Sequence, residues 1–486
     1  MSLLDRTRSL LAQASRELTD PAALAVVSLA SARLEEPLRV AIAGMVKAGK
    51  STLLNAMVGE ELAPTDAGEC TRVVTWYKDG PAYRVQVALA DGGIEPRPFD
   101  RVAGALRVSL GRPLSEVDSM TVEVPSRRLR QHTLIDTPGL ASLSADVSQR
   151  TYSFLSSASG DDFEAAPQAD AVVYLLRHMH GSDLNFLEAF HGDDLINGSP
   201  INAIGVLSRA DEIGGCQLDS MEAALRVATR YQGDERMRRL CPVIVPVAGL
   251  LASAGATLRE SEFRALATLA AADLESVVSL LLTASRFASA PSDVPVTPTQ
   301  RRELLGRLGV FGVRLSVSLI RSGVATNASA LARELLSRSG LARLTEVLEV
   351  QFVSRAQVLK ARSALAALHG VVGGHPSLVS AVEEIRASAH EFVEVRLLHQ
   401  LRSARLPGRP EQLAEMERLL GGLGASAPER LGLPPDSVPS LLLSAAQEAL
   451  TRWLRVAEHP LSAREVRYAA RATARSCEGI VASLSA

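Results

Sequence analysis

The sequence is poor in several residue types, and each shortage narrows what the chain can be. Aromatic side chains make up 4% of the 486 residues, and only four of the 52 basic residues are lysines. The four cysteines, Cys70, Cys216, Cys241 and Cys477, form no C-x-x-C pair and have no histidines at metal-ligand spacing. Neither a disulfide framework nor a zinc site is therefore predicted, and we expect a reducing, cytoplasmic location.

No apolar run is long and uncharged enough to span a bilayer. The most apolar window, residues 265–285, carries Asp273 and Glu275 near its middle. The first residues lack the charged-then-apolar layout of a signal peptide, so we expect any membrane contact to be peripheral. A formal net charge of −2 gives no global attraction for nucleic acid, and no nucleic-acid partner is predicted.

The stretch from Gly44 to Ser51 reads G-x-x-x-x-G-K-S. The apolar run before it is typical of a buried strand, and the sequence after it is typical of a helix. Such a unit offers backbone N–H groups and the positive end of a helix to phosphate. We expect Lys50 to reach the β- and γ-phosphates and Ser51 to bind Mg²⁺. Further contacts are expected from Gly44, Lys47, Ala48, Gly49 and Thr52.

Short β-branched runs recur to about residue 250, with helical or loop sequence between them. They predict strands at 71–77, 84–90, 120–124, 133–135, 171–176, 203–207 and 243–247. This alternation is typical of an α/β P-loop domain, in which ligands bind at the carboxyl ends of the strands. Helical periodicity dominates after residue 250, so a long all-α region is predicted to follow.

A second motif, D-T-P-G, begins at Asp136, at the end of an apolar run. An aspartate in that place can hold Mg²⁺ through a water molecule. The N–H of Gly139 can contact the γ-phosphate and so detect its presence. Because the motif follows a strand downstream of the phosphate loop, we favour this interpretation over a simple turn.

Selectivity for the base is predicted from S-R-A-D, which ends at Asp211. A carboxylate there can accept hydrogen bonds from both N1–H and N2–H of guanine, and adenine offers no such pair. Ser208 and Arg209 replace the first two residues of the usual N/T-K-x-D pattern, although Arg209 can still lay its stem along the base. GTP is favoured, ATP remains an alternative, and Val247 and Ala248 are expected in the last base-side loop.

The stretch from Ala63 to Arg72 contains A-P, a small glycine-containing loop and T-R, and it resembles the first switch of dynamin-like GTPases. Together with D-T-P-G, S-R-A-D-E and the later L-G-V-F-G-V-R, the chain resembles the isoniazid-inducible dynamin-like proteins of actinobacteria. The resemblance implies that Thr71 is a catalytic residue that binds Mg²⁺. It also implies GTP hydrolysis coupled to G-domain dimerisation, with itself or a sister protein, and to membrane binding by a helical stalk.

Lys47 is the third predicted catalytic residue, with Lys50 and Thr71. It stands where the related guanylate-binding GTPases carry an internal arginine finger. Val46 and Lys47 replace the glutamine and serine that many eukaryotic dynamins use there. We hypothesise that Lys47 neutralises charge that develops on the β–γ bridge. The alternative is a solvated lysine at the tip of a loop.

The predicted fold is an α/β P-loop GTPase domain plus a long all-α neck and stalk. We expect N-terminal helices at 1–36 in a neck bundle, a G domain at 37–330 and a helical stalk at 331–486. The G domain divides into a core at 37–250 and a helical extension at 251–330.

The stalk is predicted to contain two long helices of about thirty residues, joined by the glycine turn at 370–376. Its tip is expected near 369–378 or 406–440, although ordinary loop packing is an alternative for each segment. The last helix presents four arginines along one face, namely Arg464, Arg467, Arg471 and Arg475. We expect it to join residues 2–35 in the neck bundle.

The function predicted from these features is a dynamin-like GTPase that remodels or maintains the inner membrane. It would act as a peripheral protein on the inner face of the plasma membrane, with GTP as substrate, Mg²⁺ as cofactor and anionic lipid as a partner. The alternative is a soluble GTPase switch whose helical arm binds a protein partner.

Overall fold

The structure is a computed structural model that describes residues 2–63, 73–102, 105–138, 169–191, 202–241 and 243–485. Within these ranges the strands are β1 (Leu38–Gly44), β2 (Val74–Asp79), β3 (Arg84–Leu89), β4 (Ile94–Arg97), β5 (Phe99–Val102), β6 (Ala105–Val108), β7 (Val117–Val124), β8 (His132–Asp136), β9 (Ala171–Leu176), β10 (Ala203–Ser208) and β11 (Ile244–Val247). The helices up to the middle of the chain are α1 (Leu3–Glu17), α2 (Pro21–Glu35), α3 (Lys50–Val58), α4 (Gly181–His191), α5 (Ser220–Gly233), α6 (Glu235–Leu240), α7 (Gly249–Thr257), α8 (Glu260–Ala271), α9 (Leu274–Leu280) and α10 (Ala284–Ser289). The remaining helices are α11 (Pro298–Arg321), α12 (Ala328–Arg338), α13 (Leu341–Gln351), α14 (Ala356–Val371), α15 (Pro376–Ser388), α16 (His390–Arg402), α17 (Pro410–Leu419), α18 (Ala427–Leu431), α19 (Pro439–Glu458) and α20 (Arg464–Ser485).

Nine strands form one mixed sheet in the order β11-β10-β9-β1-β8-β2-β7-β3-β4, and β5 and β6 form a separate hairpin. β1 lies parallel to β8 and β9, while β10 lies parallel to β9 and β11. The carboxyl ends of these five strands therefore meet at one edge of the sheet, where the predicted nucleotide motifs follow them. The strand direction reverses at β2, which pairs antiparallel with β8.

Each face of the sheet carries its own apolar core. One core joins the sheet to α3, α7 and α13, and the other joins it to α4, α5 and α6. Every residue of β9 and β10 is buried. Strands buried on both faces are near-continuous apolar runs, which is why these two were evident in the sequence.

The helices after β11 build three further packed units. Helices α7 to α12 form a core that extends the G domain. Helices α1 and α2 pack against α14 and α15, and helices α16 to α20 share a separate core around Trp453. A buried ion pair of 3.3 Å between Arg33 and Asp170 joins the α1–α2 unit to the sheet.

The structure differs from the sequence-based predictions in five details. The predicted thirty-residue helix from residue 341 is broken between α13 and α14, because residues 353–355 form a 3₁₀ turn and Arg355 leaves helical geometry with φ of −115° and ψ of 16°. Helix α20 packs along α19 rather than with residues 2–35, whose partners are α14 and α15. Strands β4, β5 and β6 were not predicted. Helix α13 packs against the sheet rather than starting a stalk.

The fifth detail concerns the predicted tip at 369–378. Val372 and Leu378 are both fully buried in the core shared with α1 and α2, so this turn offers little apolar surface. In the part of the chain that the structure describes, we find no helix both long and apolar enough to cross a membrane. The division into domains remains a prediction.

Candidate nucleotide-binding site

The phosphate loop lies between β1 and α3, as the sequence predicts. Lys47 adopts a left-handed backbone with φ of +63°, and Gly49 does so with φ of +96°. Gly49 is the N-cap of α3, and a Cβ built on it would meet no atom of the described residues within 4 Å. The first N–H groups of a helix have no partner within it, so the start of α3 faces open space with free donors.

Lys50 and Asp136 face each other across the loop. The Lys50 ammonium donates to the carbonyl oxygens of Gly44 and Met45 at 3.1 and 3.3 Å. Burial lowers the pKa of Lys50, and the charge of Asp136 opposes that shift. The pair places one cation and one anion at the mouth of the phosphate loop.

Ser51 and Asp136 form the candidate metal site. The Ser51 hydroxyl donates to Asp136 Oδ2 at 3.2 Å. Asp136 Oδ1 is buried and has no hydrogen-bond partner among the described residues. Burial raises the pKa of Asp136 to about 6, against the opposing effects of Lys50 and Ser51. A carboxylate with a free oxygen beside a serine hydroxyl suits Mg²⁺, which takes few protein ligands and completes its shell with water and phosphate.

A cleft opens from this loop toward the end of β10. Its lining includes the predicted residues Ala48, Gly49, Thr52, Ser208, Arg209, Asp211 and Val247, together with Leu53, Leu175, Val206, Glu212, Gly249 and Leu250. The cleft therefore joins the phosphate loop to the S-R-A-D motif. Ala48 and Asp211 are far apart in the sequence, but both line this cleft in the folded chain.

Asp211 has a carboxyl group poised for a paired contact. It is buried, and that burial raises its pKa to about 6. Ser208 donates to the Leu176 carbonyl oxygen at 3.1 Å, so its hydroxyl holds β10 to β9. Arg209 has a left-handed backbone and donates to Glu212 at 2.7 Å, which keeps its side chain at the rim of the cleft.

Helix α11 reaches the same end of the cleft, which the sequence analysis did not foresee. Gly309 interrupts this helix with φ of +66° and ψ of 178°. A Cβ on Gly309 would lie 3.7 Å from Asp211 Oδ2 and 3.5 Å from Leu250. The L-G-V-F-G-V-R stretch contains this glycine, but nothing in its sequence indicates that a kinked helix lies beside Asp211.

The remaining predicted residues divide into three groups. Val247 and Ala248 are buried at the end of β11, and the Ala248 N–H donates to the Ser339 carbonyl at 2.9 Å. Lys47 is exposed at the loop. Thr71 and Gly139 lie outside the described residues.

Comparison with known proteins identifies the family. A model of the dynamin family matches residues 40–180. The isoniazid-induced protein IniC of Mycobacterium tuberculosis is 40% identical over 467 residues, which cover 94% of this chain and 92% of the relative. The chain belongs to the dynamin family, in the group that includes IniC. The fold class predicted from the sequence is confirmed, and the family implies GTPase activity in general terms.

A shorter match agrees with this dynamin-family assignment. A bacterial dynamin-like protein of Nostoc punctiforme is 32% identical over 128 residues, covering 24% of this chain and 18% of the relative. A solved structure of an oligomerised bacterial dynamin pair covers 99% of this chain and 74% of its own at 12% identity and a TM-score of 0.36, a score too low to add to the argument. Among the described residues there is no cluster of three or more His, Cys, Asp or Glu side chains that could hold a metal alone.

Proposed function

We propose that this chain binds GTP in the cleft between the phosphate loop and Asp211 and hydrolyses it with Mg²⁺. In this proposal Gly44, Lys47, Ala48, Gly49, Lys50, Ser51 and Thr52 hold the phosphates, while Ser208, Arg209, Asp211, Val247 and Ala248 hold the base. Ser51, Asp136 and Thr71 would bind Mg²⁺, and Gly139 would contact the γ-phosphate. Bound Mg²⁺ would supply charge stabilisation on the phosphoryl oxygens.

One observation carries the proposal. Ser51 donates to Asp136 at the carboxyl edge of the sheet, and the charge of Asp136 acts on the half-buried Lys50 of the same loop. A continuous cleft leads from that loop to the buried Asp211. A phosphate-binding loop and a base-reading carboxylate would bind the two ends of a nucleotide. A GTP site requires both groups in one cleft.

We also propose that hydrolysis couples G-domain dimerisation to work on the inner membrane. The helical units are tied to the sheet by buried contacts through which motion of the G domain would be transmitted. Besides the Arg33–Asp170 pair, Lys360 donates to the carbonyl oxygens of Leu34 and Glu36 at 2.6 and 3.0 Å, directly before β1. Family membership supports the coupling, and the soluble switch with a protein partner is the alternative.

Vesicle pelleting with a GTP analogue tests both parts. We expect nucleotide-dependent pelleting with anionic vesicles, and GTPase activity that rises with protein concentration. The Lys50→Ala variant should lose at least about tenfold in GTP affinity, because it removes a charge-assisted contact. Lys78→Ala is the matched control, since Lys78 lies over the Trp76 ring on β2 and outside the cleft. Tight GTP binding without pelleting would favour the soluble switch.

A further inference from the structure

The turn between α19 and α20 exposes more apolar surface than a short connection needs. Leu461 in this turn is 89% exposed, while Tyr468 on α20 and Leu454 on α19 are 52% and 40% exposed. Single exposed apolar residues are ordinary, but three within one helical turn or so of the same connection form a candidate patch. We call residues 454–468 the hairpin tip.

The three side chains have the depth profile of an interfacial membrane contact. Leu454 lies four residues before the end of α19, and Tyr468 lies four residues after the start of α20. At 1.5 Å per helical residue, each is about 6 Å behind the end of its helix. Interfacial segments insert by roughly 5–10 Å, so Leu461 would enter the acyl region while Tyr468 stays at headgroup depth.

The charge around the hairpin tip favours an anionic surface. Residues 452–471 contain five arginines and two glutamates, in a chain whose formal net charge is −2. Arg452 pairs with Glu415, but Arg455, Arg464 and Arg471 are exposed and form no ion pair among the described residues. Arg464, Tyr468 and Arg471 follow one another at helical spacing on the exposed side of α20. Basic residues flanking an apolar patch are the chemistry that binds anionic headgroups.

The other end of α19 provides an internal comparison. Val438 and Leu441 are 59% and 48% exposed, so this end is similarly apolar. However, Asp436 is the only charged residue from 434 to 447. This end, which belongs to the predicted tip region at 406–440, has no positive charge to attract an anionic membrane.

We propose that the hairpin tip is the surface through which this chain contacts a bilayer rich in anionic phospholipid. The proposal rests on the membrane part of the proposed function, and it assigns that contact to Leu461, Tyr468 and the flanking arginines. A second copy of the chain is the competing occupant of the patch, and the test below distinguishes it.

Flotation with vesicles tests the assignment. Wild-type protein should bind vesicles that contain one-third phosphatidylglycerol and should bind purely zwitterionic vesicles much less. Leu461→Asp should reduce partitioning about tenfold, because it replaces the leucine that would enter the acyl region with a charge. Reversal of Arg464 and Arg471 to Glu should reduce it by a similar factor. Leu441→Asp and Arg302→Glu are matched controls, and both should bind as wild type does.

The outcomes separate this proposal from the proposed function. If wild type binds anionic vesicles and Leu461→Asp binds them equally well, the hairpin tip is not the contact, although the membrane function stands. If wild type binds no vesicles, the membrane part of the proposed function and the assignment to the hairpin tip are both wrong. If Leu461→Asp changes the sedimentation of the free protein from oligomer to monomer and leaves vesicle binding intact, the patch is a self-association surface. GTP hydrolysis without vesicles should be equal in all variants.

A tryptophan reporter gives an independent readout. The two native tryptophans, Trp76 and Trp453, are 8% and 1% exposed, so their emission is insensitive to added lipid. Leu461→Trp should show a blue shift with anionic vesicles and quenching by brominated acyl chains. Leu441→Trp should show neither. Equal responses at the two positions, or none at Leu461→Trp, would overturn the proposal.

Discussion

At the scale of single residues, Asp211 is the side chain that we propose selects the base. We expect Asp211→Asn to weaken GTP binding by about 10²-fold or more, because one of two acceptors becomes a donor and the charge is lost. Xanthosine triphosphate, whose 2-oxo group can accept from the new amide, should bind better to the variant than to the parent. Competition binding with the two nucleotides measures this, and unchanged GTP affinity would exclude Asp211 as the base reader.

The pKa of Asp211 gives the site a pH dependence. Guanine needs the ionised carboxylate, and burial raises the pKa of this group to about 6. GDP affinity should therefore be level above pH 6 and fall about tenfold per pH unit below it. The effect on folding has the opposite sign. Burial favours the neutral carboxyl group, so the pKa of Asp211 in the folded chain exceeds the ordinary 3.8. The free energy of unfolding therefore gains a contribution that is fully present below about pH 4 and is lost as pH rises through 6.

A titration of GDP affinity between pH 5 and 8 checks whether binding weakens as pH falls below 6. The Asp211→Asn variant, which has no titrating group at this position, is the control and should show a flatter profile. A parallel loss of affinity in both proteins would assign the pH dependence to another group.

Lys47 is exposed within the phosphate loop, which fits either an internal catalytic finger or a solvated lysine. If it neutralises charge on the β–γ bridge, Lys47→Ala should lower kcat by up to about 10³-fold with little change in KM, and Lys47→Arg should retain most activity. Single-turnover hydrolysis at high protein concentration is the measurement. Parental rates in Lys47→Ala would leave the solvated lysine as the explanation.

At the scale of elements, α11 links the Asp211 end of the cleft to the segment that follows α3. Gly309 contacts the region of Asp211, while Arg307 ion-pairs with Glu61 and Glu262 and donates to the Thr257 hydroxyl at 2.7 Å. The backbone beside Glu61 is tied to α3, because Asn55 Oδ1 accepts from the N–H groups of Leu62 and Ala63. Helix α11 thus holds the chain that enters the predicted first switch.

Arg307→Gln should loosen that segment and weaken binding of a GTP analogue more than binding of GDP. A selective loss of roughly 2- to 30-fold is expected for such coupling. Arg302→Gln is the control, since among the described residues Arg302 hydrogen-bonds only to Pro298 and Thr299 in the first turn of the same helix. Fluorescent-nucleotide titration measures the ratio of the two affinities. Equal losses for both nucleotides would indicate a purely structural role for Arg307.

Elements with strong local signals could be predicted, and those set by tertiary contacts could not. The phosphate loop was evident because a buried strand, a glycine turn and a helix start follow one another. Strands β4 to β6 were missed because they are short and carry polar residues and Pro96. The kink at Gly309 and the break after Gln351 depend on what packs beside them, which periodicity does not report.

At the scale of the whole molecule, the fold class and the family followed from the sequence, while the arrangement of the helical units did not. Helical periodicity identified amphipathic segments but could not say which of them would pair. The structure buries Val372 and Leu378 in the predicted turn at 369–378, whereas Leu461 in the hairpin tip is exposed. Partner choice among helices is a property of the assembled core, so it becomes visible only in coordinates.

The central claim is that separate segments of this chain surround one guanine nucleotide. Isothermal titration of the purified chain with GDP, a GTP analogue and ADP, each with and without Mg²⁺, tests it most directly. The account predicts one site per chain for both guanine nucleotides, tighter binding of the analogue with Mg²⁺, and no heat with ADP. Absence of heat with either guanine nucleotide, or equal binding of ADP, would contradict it.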